Sequence, residues 1–263
     1  GRVRVRVRFE KSVECGGHGA AVCSVSFHPR GAAVLSSAKD GTARLWDARS
    51  GEQLHELKCS VDPINRDGTP APKPAQKKNA RPQKILVRGC AFGDLEGKRV
   101  YTVASGRKGK AYLAKWSLVR AGKAQPPPQP GPDGKMPPFV PPPMVFREDR
   151  RVSCSDVPIS SLSLSGDASI LALGGVDGTV TLFDVEVMKP AKSFPEVHDL
   201  PVTCVAARPV PSNMALPGDE DAGVLFDCAS ASADNRIAML TRQRRARPKR
   251  KASDGEEKGS RMG

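Results

Sequence analysis

Residues 17–47, GHGAAVCSVSFHPRGAAVLSSAKDGTARLWD, constrain the fold more than any other stretch of the 263-residue chain. Ala21, Cys23, Val25 and Phe27 alternate with more polar neighbours, the period of a half-buried strand. Pro29-Arg30-Gly31 turns the chain, and Val34-Leu35 opens a second strand. Asp40-Gly41 is a strong two-residue hairpin signal. In the third strand Ala43, Leu45 and Asp47 share one face, and Arg44 and Trp46 the other. Residues 52–57 supply a fourth, outer strand. A four-stranded meander this short cannot bury its own apolar faces, so it requires stacked neighbours of the same kind.

The pattern recurs, and the unit resembles a WD repeat, one blade of a β-propeller. In such repeats a His, a strand Ser, a turn Asp and a Trp form a hydrogen-bonded chain; His18, Ser37, Asp40 and Trp46 are the types and spacing expected here. A second blade begins at Ile85 with ILVRGCAF, then Val100 to Ser105, then AYLAKWSL with Trp116 in the aromatic position. Its hairpin is the basic run Gly106-Arg107-Lys108-Gly109-Lys110, which lacks the G-x-x-x-x-G-K-[ST] pattern of a phosphate loop and reads as a flexible turn. A third blade spans Ile159 to Asp184, with Asp177-Gly178 at the hairpin and Phe183-Asp184 in place of Trp-Asp, so the indole donor is lost. A fourth opens at Val197-His198-Asp199 and turns at Asp234-Asn235, with His198 in the role of His18.

Three inserts interrupt the blades, at about 62–83, 120–146 and 211–224, and a basic tail follows from 242 to 263. The second insert carries ten prolines and the tail opens with RQRRARPKRK, seven of its ten residues basic. Neither can bury a core, and both read as disordered. Without inserts and tail about 180 residues remain, or roughly four blades at about 40–45 residues each. The expected fold is therefore all-β: a partial WD-repeat propeller over residues 1–241. Residues 2–9, RVRVRVRF, place Arg2, Arg4, Arg6 and Arg8 on one side and fit the outer strand of a preceding blade. The first residue is Gly rather than Met, which suggests a fragment.

The formal charge of +14 favours an acidic partner, whether protein, anionic membrane or nucleic acid. Seven cysteines without a C-x-x-C pair suggest a reducing compartment, with Cys23, Cys90 and Cys204 as small core residues. Four histidines (His18, His28, His55, His198) show no metal spacing, and no nucleophile or acid–base motif stands out. The expectation is a binding protein with no cofactor, not a catalyst of covalent chemistry.

The order of segments carries a further resemblance. ILVRGCAFG, VYTVAS, a proline-rich insert and its neighbouring YLAKW strand come first. VSCSDVPISSLSLSGDASILALGGVDGTVTLFD, EVHDLPVTCVAARP and CASASADNRIAML follow. Over about residues 17–245 this order is similar to that of the endoplasmic-reticulum exchange factors for the small GTPase that starts the COPII coat, the prolactin regulatory element-binding protein family. The resemblance implies a seven-bladed propeller on the cytosolic face of the endoplasmic reticulum membrane, anchored by a C-terminal helix. It also implies guanine-nucleotide exchange in endoplasmic reticulum to Golgi transport. The family's glycine-rich exchange loop, with its Lys and bound potassium ion, lies in a first blade that this chain does not contain, so no exchange residue is carried over. Residues 242–251 stand at the family's juxtamembrane segment, where they suit an anionic membrane surface. The alternatives are a generic WD-repeat interaction scaffold, in nucleus or cytosol, and, least favoured, a nucleic-acid binder.

Overall fold

The computed structural model describes residues 11–62, 84–106, 109–121, 143–209 and 226–241. Every regular element among them is a strand, as short alternating stretches punctuated by Asp-Gly turns dictate. Sheet I is the meander β1 (Val22–Phe27), β2 (Ala33–Ala38), β3 (Thr42–Asp47) and β4 (Gln53–Lys58). Sheet II comprises β5 (Leu86–Phe92), β6 (Arg99–Ser105), β7 (Ala111–Arg120) and β8 (Met144–Ser155). Sheet III comprises β9 (Ile159–Leu164), β10 (Ile170–Gly175), β11 (Val180–Asp184) and β12 (Lys189–Phe194). Sheet IV comprises β13 (Val202–Ala207), β14 (Phe226–Ser232) and β15 (Ile237–Thr241). All pairings are antiparallel, and the first two strands of each sheet share one register shift at corresponding positions.

The sheets stack as four propeller blades, each apolar core lying between successive sheets. Leu35, Leu45 and Leu57 of sheet I meet Val87, Cys90 and Phe92 of sheet II. Tyr101, Val103 and Leu113 of sheet II meet Ile159 and partly buried Leu162 and Leu164 of sheet III. Ala172, Val180 and Leu182 of sheet III meet Val202, Val205 and Ala207 of sheet IV. Register makes Trp46, Trp116 and Phe183 equivalent: they pair with Val34, Val100 and Leu171, and all three are buried. The hairpins between second and third strands are equivalent too, with Gly41 (φ 88°), Gly178 (φ 80°) and Asn235 (φ 64°) in the left-handed conformation.

The outermost sheets differ from the inner ones. Phe27 in β1 is 70% exposed, whereas its register equivalent Phe92 in β5 is 6% exposed against sheet I. On the far side, Ile237 in β15 is 75% exposed, whereas Ala43, Leu113 and Val180 at the same position are fully buried. Val25 and Met239 extend these two open apolar faces.

Several sequence expectations change. The second insert is shorter than 120–146, because Arg120 ends β7 and Met144 begins β8, paired across the gap. The prolines stop at 143, and MVFREDRRVSCS is free to form an outer strand whose alternate charged residues face solvent. Strand β12 was also missed; five of its six residues are exposed, so it carries no apolar alternation. Cys90 is buried as expected, but Cys204 is exposed, because it lies on the uncovered face of sheet IV. The arginine-rich strand at 2–9, the tail from 242, the insert at 211–224 and most of the 62–83 insert lie outside the described residues, as do Arg107 and Lys108.

Candidate functional site

Two blades are braced by a carboxylate–imidazole–serine chain, which an indole extends in sheet I, whereas Leu240 stands at the indole position of sheet IV. In sheet I, His18 Nδ1 lies 2.8 Å from Asp40 Oδ2 and Nε2 lies 2.7 Å from Ser36 Oγ, which accepts from Trp46 Nε1 at 2.7 Å. With the imidazole proton placed on Nδ1, every donor meets an acceptor: indole to serine, serine to imidazole, imidazole to carboxylate. Asp40 also accepts from the Gly19 amide (2.9 Å) and from the Thr42 amide (2.9 Å) and hydroxyl (2.8 Å). Burial alone would raise its carboxyl pKa, but these bonds outweigh it and hold Asp40 well below the usual carboxylate range. In sheet IV, His198 Nδ1 meets Asp234 at 3.0 Å, Nε2 meets Ser230 Oγ at 2.9 Å, and the Asp199 amide donates to Asp234 at 3.2 Å. Asp234 is likewise held low: burial pushes up, and bonds from Arg236, His198 and Asp199 pull down further.

The serine of the brace is Ser36 and not the expected Ser37. A one-residue change of phase sends a strand side chain to the opposite face. Ser37 therefore points toward sheet II, beside the Cys90 thiol. Sheet II keeps part of the brace with different residues. Trp116 Nε1 donates to Thr102 Oγ1 at 2.9 Å, and Cys59 Sγ lies 3.5 Å from the same oxygen. Cys59 donates its amide to Gly41 O as His198 does to Gly178 O, so the thiol occupies the histidine's place. Burial pushes the Cys59 thiol up to about 12, which makes it an inert packing group. Sheet III has no polar chain: Leu173 stands at the Ser36 position, and Asp177 only caps its turn through the Thr179 amide at 3.1 Å. Sequence reasoning missed Thr102 and Cys59; a hydroxyl two pairs inward from Trp116 was the available signal.

The braces fix the turns between second and third strands, and the opposite edge of the blades forms a concave surface. The innermost strands β1, β5 and β9 converge around a cavity of about 950 Å³, open at the end bounded by the turns that follow them. Its lining includes Phe27, Phe92 and Leu164 at the ends of those strands and Asp94, Glu96 and Asp167 in the turns. These turns are fixed. Asp94 Oδ1 accepts from the amides of Glu96 (3.2 Å) and Lys98 (2.9 Å). Asp167 accepts from Ser165 Oγ at 2.6 Å and Ser169 Oγ at 2.8 Å, and despite burial its pKa is lowered. Glu96 pairs with Lys98 at 2.5 Å. His28 packs edge-on to Phe92 with ring centroids 5.2 Å apart. An apolar lining beside preorganised charged turns suits the docking of a polypeptide segment. Among the described residues no group of three or more His, Cys, Asp or Glu could hold a metal ion.

Comparison with known proteins agrees with this architecture. Residues 9–47 match the family described as WD domain, G-beta repeat. The fold is a WD-repeat β-propeller. A WD repeat-containing protein 91 homolog from Dictyostelium discoideum is 24% identical over 192 residues, covering 69% of this chain. The propeller chain spans only 23% of that relative's length.

Proposed function

We propose that this WD-repeat propeller is the docking body of a guanine-nucleotide exchange factor, acting on the small GTPase that initiates COPII coat assembly at the cytosolic face of the endoplasmic reticulum. The observation that carries the reading is the order of the resembling segments, which fall in sequence on β5, β6, β7, β8 to β11, β13 and β14 to β15. The proposed action is steric and electrostatic, with no covalent step: a propeller surface remodels the switch and phosphate-binding elements of the GTPase. The glycine-rich loop and potassium ion of the family belong to a further blade. The open faces at Phe27 and Ile237 support such blades, since the equivalent positions elsewhere are covered by a neighbouring sheet. Residues 242–251 would meet anionic lipid.

The test is release of a fluorescent guanine nucleotide from the candidate GTPase in the presence of the full-length product. Accelerated release is expected. Unchanged release would overturn the reading in favour of a generic WD-repeat scaffold, which the family match at residues 9–47 favours equally. That second reading predicts nuclear accumulation of a reporter fused to residues 242–251.

A further inference from the structure

The edge of the blades opposite the open end of that cavity carries a second cleft, of about 670 Å³, where sheets I and II meet. Three lysines from different parts of the chain line it. Lys39 lies at the turn between β2 and β3, Lys58 ends β4, and Lys84 leads into β5. Ile85 forms an apolar wall, packed so close that a Cβ on Gly41 would stand 3.4 Å from its Cβ.

Among the described residues the charge in this cleft is only weakly answered. Its one carboxylate, Asp40, already has both oxygens engaged, Oδ2 by His18 and Gly19 and Oδ1 by Thr42. Lys58 has only a long contact to Glu56, at 3.8 Å, and its side chain is largely in solvent. Among the described residues Lys39 and Lys84 form no ion pair. The next hairpin on the same edge differs: Lys110 is matched by Asp156 at 3.4 Å. The opposite edge carries Asp94, Glu96 and Asp167. Like charges gathered in a concavity raise the local potential and repel one another, which an incoming anion reverses.

We infer that the Lys39–Lys58–Lys84 cleft is a docking site for an acidic peptide segment of a protein partner. The apolar wall favours a peptide, whose backbone and side chains can lie against Ile85 while its carboxylates meet the ammonium groups. This stands independently of the exchange-factor reading, because it names a surface and a chemistry without naming the GTPase.

The experiment measures binding of a fluorescein-labelled hexaglutamate peptide to the whole chain by anisotropy. The variants are Lys39→Glu/Lys58→Glu/Lys84→Glu and a control of equal net charge, Arg49→Glu/Arg150→Glu/Lys189→Glu. A loss of about tenfold or more in the cleft variant, with less than about twofold in the control, is expected, and affinity should fall as salt shortens the screening length. Equal losses in both variants, or none in either, would overturn the site. Inorganic pyrophosphate displacing the peptide at matched charge, or phosphatidylserine vesicles binding through the cleft where the peptide does not, would overturn the assignment to a peptide. Should the triple variant unfold, the single changes Lys39→Gln and Lys84→Gln are read in the same assay. Failure of both to weaken binding counts against the site.

Discussion

Sheets I and III share one backbone plan and close it by opposite chemistry. In sheet I an indole, a hydroxyl, an imidazole and a carboxylate run from Trp46 to Asp40. In sheet III the equivalent indole and hydroxyl positions hold Phe183 and Leu173, both fully buried, and Asp177 serves only its own turn. The blade tolerates either solution because each is complete. A buried polar group costs little when paired and much when orphaned, so the members must change together. Sheet II, with Cys59 and Thr102 beside Trp116, lies between the two.

The comparison can be broken most severely through the sheet-to-sheet packing that both solutions serve. Phe92→Ala removes a buried ring from between sheets I and II and is expected to cost about 3–5 kcal/mol in urea unfolding. Phe27→Ala, at the equivalent but open position, should cost about 0.5 kcal/mol or less. Similar losses would mean that the face of sheet I is not open. Next in size, Phe183→Trp brings an indole N–H to a site without an acceptor and should cost about 1–3 kcal/mol. Adding Leu173→Ser to Phe183→Trp supplies the hydroxyl and should recover part of that loss. A double variant no better than the sum of the singles would deny that the positions are interchangeable.

The smallest effect is the response to acid. Asp40 and Asp234 titrate lower in the folded chain than in the unfolded chain. The unfolded state therefore binds more protons as pH falls below the ordinary carboxylate value. The stability these groups contribute is present above that value and is lost as pH drops through their folded values. In Asp40→Asn the stability–pH curve should be shallower on the acid side. An unchanged slope would remove Asp40 from the account.

Much of the architecture was legible because its signals are local. Asp40-Gly41 and Asp177-Gly178 mark the central hairpin of a blade, and the His before an apolar strand marks where a blade opens. The outer strand β4 was legible at residues 52–57, but β8 and β12 were not, since KPAKSF and the charged middle of β8 bury few side chains and show little period-two contrast. Ser36 and Ser37 could not be separated by type; the register shift between Val22 and Ser24 and the pairing of Val25 with Ser36 decide which one faces His18. The Cys59 substitution for histidine was hidden because the insert from 63 to 83 separates it from the strand it serves. The lysine cleft joins residues 39, 58 and 84, which only the stacking of two sheets brings together.

The central claim is that corresponding residues on successive sheets occupy equivalent places. It is tested most directly by the exchange of the two indole N–H protons, those of Trp46 and Trp116, followed by NMR. Both should be protected in the native chain. Ser36→Ala should release the Trp46 proton alone, and Thr102→Val the Trp116 proton alone. Exchange of both indoles in either variant, or of neither in both, would contradict the account.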